Sequence, residues 1–115
     1  MTQPDELIDW ARLASLREEI GPEEFAEVVE VFLADTDALV AALSRTPPDR
    51  LEAALHAIKG SALNLGLVRL AALCAEQEAR AAGGHPQDVA LAPILLGYGE
   101  ARRALLRGLA RGRPD

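Results

Sequence analysis

Pairs of helix-breaking residues cut this chain of 115 residues into stretches of helical length, and that spacing constrains its fold more than any other feature. Gly21-Pro22 separates a first stretch, 9–20, from a second, 22–44. Pro22 suits the first position of the second helix, where its missing N–H is no loss, and Glu23 and Glu24 fall near that helix's positive end. Pro47-Pro48 closes the helix, because Pro47 disfavours helical geometry at Thr46 and neither proline donates a backbone hydrogen bond. A third helix over 48–65 meets Gly66, a C-terminal stop, and a fourth over 67–82 ends at Gly83-Gly84. The fifth, 87–110, follows His85-Pro86 and contains Pro93, which must either kink or restart it. Gly97 and Gly99 weaken it further, by up to about 1 kcal/mol each relative to alanine in a helix interior.

The side chains agree with helix throughout. There are 22 Ala and 19 Leu against 13 Val, Ile and Thr together, a mixture that favours helix over sheet. In the second helix Phe25, Val28, Val29, Phe32, Thr36, Leu39, Val40 and Leu43 keep the three-and-four spacing of one buried face. Short connections between long amphipathic helices imply antiparallel neighbours. The expected fold is therefore all-α, one domain over 1–115: an antiparallel up-and-down four-helix bundle with the short first helix capping one end.

Charge and cysteine content narrow the function classes. Cys74 is the only cysteine, so no internal disulfide framework and no multi-cysteine metal site can form. No apolar run approaches the roughly 18 residues of a membrane span, and the N-terminus opens polar and acidic, so a soluble cytoplasmic protein is expected. The net charge of −6 argues against nucleic acid or membrane partners. The distribution is uneven: eleven of the 18 acids lie in residues 1–37, while Arg102, Arg103, Arg107, Arg111 and Arg113 crowd the last fourteen positions. Read simply, these arginines are a solvated helix end whose cations suit the dipole.

The third helix carries a histidine on the wrong face. Placed on a helical wheel, Leu51, Ala54, Leu55, Ile58, Ala62 and Leu65 form an apolar sector centred roughly 200° from His56. His56 thus points away from the core, with Glu52, Lys59, Gly60 and Leu63 around it on the outer face. An exposed imidazole is a competent nucleophile near neutral pH. Lys59, three residues on and the sole lysine of the chain, places a flexible cation where it could offset the charge of a phosphoryl group on the ring. Gly60 sacrifices about 1 kcal/mol of helix stability relative to alanine and leaves open space beside the imidazole.

The run His56-Ala57-Ile58-Lys59-Gly60-Ser61-Ala62-Leu63-Asn64-Leu65-Gly66 resembles the signature of histidine phosphotransfer (HPt) domains. Leu70, Cys74 and Glu78 fit the family's following helix, and Phe25 with Phe32-Leu33 its preceding one, so the resemblance covers most of the chain. Two positions depart from it: Leu67 stands where a smaller residue is common, and Gln77 where the family is usually apolar. The resemblance implies a phosphoryl carrier of two-component phosphorelays, with His56 as phosphoacceptor, Lys59 offsetting phosphate charge and Gly60 giving access to the imidazole. It implies a response regulator receiver domain or a histidine kinase as partner. It also implies that Mg²⁺ and the acidic pocket belong to the receiver, with no cofactor or metal on this chain, and that Nε2 carries the phosphoryl group.

Other residues are read more plainly. His85, between Gly84 and Pro86, is an exposed turn residue, Cys74 is a small buried one, and Ser61 and Asn64 at the core boundary bond to backbone or neighbouring helices. Ala53, Ala57, Leu63 and Leu67, with Glu52, surround the histidine as the expected partner face. An autonomous kinase is excluded by the lack of a glycine-rich phosphate loop and of room for a nucleotide-binding domain. The competing class is a non-catalytic adaptor that uses the same patch without phosphorylation. A monomer is expected, and the initial methionine favours a free-standing protein.

Overall fold

The structure, a computed structural model, describes residues 7–114 and is helical without a strand among them. Five α-helices follow in order: α1 (Trp10–Ile20), α2 (Pro22–Ala42), α3 (Leu51–Asn64), α4 (Val68–Ala82) and α5 (Ala92–Ala110). Asp9 caps α1, its carboxylate accepting from the Arg12 N–H at 3.0 Å. Pro22 opens α2, followed by Glu23 and Glu24 in the first turn.

The ends differ from the sequence expectation where proline and tight turns intervene. The second helix does not stay α-helical to residue 44: it tightens into a 3-10 turn over Leu43–Arg45, and the Thr46 hydroxyl donates to Ala42 O at 2.8 Å. The third is likewise preceded by a 3-10 turn, Pro48–Arg50, so α3 itself starts at Leu51. The fifth starts at Ala92, not 87, because Pro93 belongs in a first turn, where no N–H is required; a separate 3-10 turn spans Pro86–Asp88. Pro93 therefore begins the helix and kinks nothing.

α3 ends in a turn that shapes the site. Gly66 adopts φ 69°, which allows the Gly66 N–H to bond Leu63 O at 3.2 Å and the Leu67 N–H to bond Ala62 O at 2.8 Å. The Gly66 carbonyl accepts from the Asp9 N–H at 2.7 Å, which ties the start of α1 to the end of α3.

α3 packs against α2 and α4, α4 against α5, and α1 against α2. Leu33 and Val40 of α2, Leu55 and Ile58 of α3, Leu70 and Cys74 of α4, and Ile94 and Leu105 of α5 meet in one core. Leu33 joins it, whereas Val28, Phe32 and Leu39 are only half-buried. A polar clasp connects α5 to α2: the Tyr98 hydroxyl and the Arg102 guanidinium both donate to the Asp37 carboxylate, Arg102 Nε at 3.0 Å. Among the described residues no helix is long and apolar enough to cross a membrane.

Candidate functional site

His56 stands at mid-α3 with its side chain 68% exposed, and its one polar contact comes from the neighbouring helix. His56 Nδ1 lies 2.9 Å from Glu78 Oε2 on α4. The other carboxylate oxygen, Glu78 Oε1, forms an ion pair with Lys59 Nζ at 2.8 Å. One carboxylate thus bridges the imidazole and the ammonium.

The electrostatics of this trio have a definite sign. The Lys59 ammonium holds the Glu78 carboxyl below the usual carboxylate range against the opposing effect of burial, and the His56 contact adds to the lowering. An ionised carboxylate can only accept, so His56 Nδ1 carries the proton and donates to Glu78. In the neutral imidazole the opposite ring nitrogen, Nε2, is then the one that carries the lone pair, on the far edge of the ring.

Surrounding residues set the frame. A Cβ built on Gly60 would meet nothing within 4 Å, so the surface beside His56 is open there. Glu52, Ala53 and Ala57 are exposed, and Leu63 is 50% exposed one to two turns along. Leu67 is a correction: it is 0% exposed and cannot touch a partner. The turn at Gly66 ends the α3 periodicity, and the Leu67 side chain lies in the core while the next residue, Val68, is 37% exposed.

The polar residues beneath the site are also accounted for. Ser61 Oγ bonds Thr36 Oγ1, which itself donates to Phe32 O at 2.7 Å, so α3 and α2 share a partly buried hydroxyl pair. Gln77 is buried, and its Oε1 accepts the Ala90 N–H at 2.8 Å, satisfying a loop backbone group that an apolar residue would leave unpaired. Cys74, one turn before Glu78, is fully buried, and burial together with the Glu78 charge pushes its thiol up to about 11. His85 is exposed, with Nδ1 3.9 Å from Asp88 Oδ2. Asn64 departs from the expectation: it is exposed at the end of α3, and its side chain makes no hydrogen bond among the described residues.

Sequence reasoning missed the Glu78 bridge. Glu78 lies 22 positions from His56, and nothing local shows which α4 residue faces the imidazole. A weak signal existed in that Glu78 falls one turn after the buried Cys74, on the side of α4 turned toward α3.

Comparison with known proteins adds one finding. A family model described as Hpt domain matches residues 27–111, which includes all of α3, α4 and α5. No curated protein and no solved structure matches the chain.

Proposed function

Because this chain belongs to the Hpt domain family, we propose that it is a histidine-containing phosphotransfer protein. His56 accepts a phosphoryl group from a receiver-domain phospho-aspartate or a histidine kinase and passes it to a receiver domain of a two-component phosphorelay. In this reading α2 to α5 form an antiparallel up-and-down four-helix bundle with α1 at one end. The protein works as a cytoplasmic monomer and as a carrier without kinase activity of its own.

One observation carries the proposal: an exposed imidazole whose Nδ1 proton is held by Glu78 presents Nε2 as a nucleophile. In the transfer step the Nε2 lone pair attacks phosphorus, the Nε2–P bond forms, and the aspartyl O–P bond breaks with its electron pair leaving on the carboxylate. The ring gains positive charge as it is phosphorylated, and the Glu78 carboxylate on Nδ1–H offsets that charge. Lys59 balances the phosphoryl oxygens. Mg²⁺ and the acidic pocket that binds it belong to the receiver. This chain supplies position, a nucleophile of fixed tautomer and an unobstructed approach past Gly60. Glu52, Ala53, Ala57 and Leu63 form the face on which the receiver docks.

The test is phosphoryl transfer from a panel of labelled phospho-receivers to wild type and His56→Gln. We expect wild type alone to acquire an acid-labile, base-stable phosphoryl group. If no donor labels wild type, while one receiver binds both forms equally, the chain is an adaptor and the carrier reading fails.

A further inference from the structure

Three of the arginines near the C-terminus, Arg107, Arg111 and Arg113, enter no step of the proposed phosphotransfer, and the fold gathers them around one feature. α5 ends as α3 does: Gly112, at φ 91°, lets its own N–H bond Leu109 O at 3.1 Å and the Arg113 N–H bond Gly108 O at 2.9 Å. The chain hooks back, and the Arg113 guanidinium lies over the Trp10 indole, 4.7 Å from the ring centroid. Gly108 permits the approach, since a Cβ there would sit 2.2 Å from the indole. The result is a cleft of about 400 Å³ lined by Trp10, Ala104, Arg107, Gly108, Arg111 and Arg113, with no carboxylate among them.

Outside the cleft the charge continues. Arg103 and Arg107 of α5 and Arg111 at its C-cap recur at four-residue spacing, so they share one ridge roughly 12 Å long, and all three are exposed. Among the described residues none of the three enters an ion pair. Like charges at this spacing repel. The helix dipole accounts for a cation in the last turn, but not for Arg103 two turns back or for Arg113 beyond the helix end.

We propose that this ridge and cleft are the docking site for an acidic helical segment of a partner protein, with carboxylates spaced one turn apart to match the arginines. Guanidinium forks pair with carboxylates through two parallel hydrogen bonds, and a facing helix repeats its carboxylates at the same pitch. The charge distribution favours a short acidic segment over nucleic acid or an anionic membrane. The chain is −6 overall, which disfavours a long polyanion or an extended anionic surface, whereas a short segment meets the ridge alone. The site is separate from the imidazole: Asp9, next to Trp10, bonds Gly66, about 15 Å along α3 from His56. A partner held there leaves the His56 face open, and the inference stands whether or not His56 is phosphorylated.

Trp10 is the only tryptophan, so the cleft contains its own fluorophore. The experiment titrates the full chain with a helix-forming peptide bearing Glu at every fourth position and follows Trp10 emission. We expect a saturable change, weakened by added salt. His56→Gln should bind as wild type does. Arg107→Glu/Arg111→Glu, which leaves the Arg113–Trp10 stack in place, should lose about tenfold or more in affinity with unchanged far-UV circular dichroism. If the charge reversal unfolds the chain, Arg107→Gln/Arg111→Gln carries the same expectation. No saturable change at low salt, equal binding by the folded double variant, or tighter binding of a DNA oligonucleotide or phosphatidylserine vesicles than of the peptide would each overturn the proposal.

Discussion

Lys59 of α3 is paired with Glu78 of α4 at 2.8 Å, and the same carboxylate takes the proton-bearing edge of His56. The cation expected to meet phosphate is therefore already held beside the imidazole before any phosphoryl group arrives. Glu78→Ala removes the acceptor for Nδ1–H and frees Lys59 at once. Phosphoryl acceptance should slow by roughly three- to tenfold, the range of a net hydrogen bond of about 0.7–1.4 kcal/mol that is open to water on one side. Glu78→Gln, which can still accept from Nδ1–H, should recover part of that loss. Rapid-quench kinetics give the rate, and imidazole ¹⁵N shifts give the tautomer. Unchanged rate and tautomer in Glu78→Ala would show that the bridge does not position the ring.

The two lowered carboxyls predict the acid limb of stability. Arg102 holds Asp37 below its ordinary 3.8, with Tyr98 helping against burial, and Lys59 does the same for Glu78. Each binds fewer protons folded than unfolded, so stability rises with pH. Their contribution is complete above the unfolded values and is lost as pH falls through the folded ones. Denaturant midpoints should therefore hold steady down to about pH 5 and then decline. Asp37→Asn should be less stable than wild type at pH 7 and show a shallower decline, because one of the two titrations is gone. An acid limb of undiminished slope in that variant would assign it to other groups.

Two glycines of the α3 segment should respond to alanine with opposite signs. Gly60 lies mid-helix with open space beyond it, so Gly60→Ala should stabilise by about 0.5–1 kcal/mol and raise Tm by roughly 2–6 °C. Gly66 has φ 69°, and a Cβ there would lie 2.8 Å from Asp9 O, so Gly66→Ala should cost about 1–3 kcal/mol. Calorimetry on the two variants separates them. Gly60→Phe adds a test of access: it should fold as wild type does and accept phosphate more slowly.

How far the sequence could be read follows from which interactions are local. Helix number and most helix ends rest on prolines and glycines acting within a few residues, and Pro22, Gly66 and Gly84 each stand at a helix boundary. The outward direction of His56 follows from periodicity inside one helix. The contacts that were not legible join residues far apart in the chain: His56 with Glu78, Asp37 with Tyr98 and Arg102, Ser61 with Thr36, and Trp10 with Gly108. Each depends on the register of one helix against another, which no local pattern determines. Leu67 is the instructive failure. Continuing α3's periodicity past Gly66 places it outside, but the reversal at the glycine ends that periodicity and turns the side chain inward.

That reversal supplies the last prediction. Leu63 and Leu67 are one helical turn apart in sequence and chemically identical, yet Leu63 is 50% exposed and Leu67 is 0% exposed. Leu67→Ala should cost about 2–5 kcal/mol, because it empties a filled place under the turn, and Leu67→Glu should prevent folding altogether. Leu63→Glu should shift stability by no more than about 0.5 kcal/mol, since its side chain already meets water. Its effect should appear only in transfer, where a charge on the docking face weakens the encounter with the receiver. Melting curves and transfer rates on the two glutamate variants settle the matter together. Normal transfer by a folded Leu63→Glu would remove Leu63 from the docking face, and a stable, folded Leu67→Glu would contradict the burial that the Gly66 turn imposes.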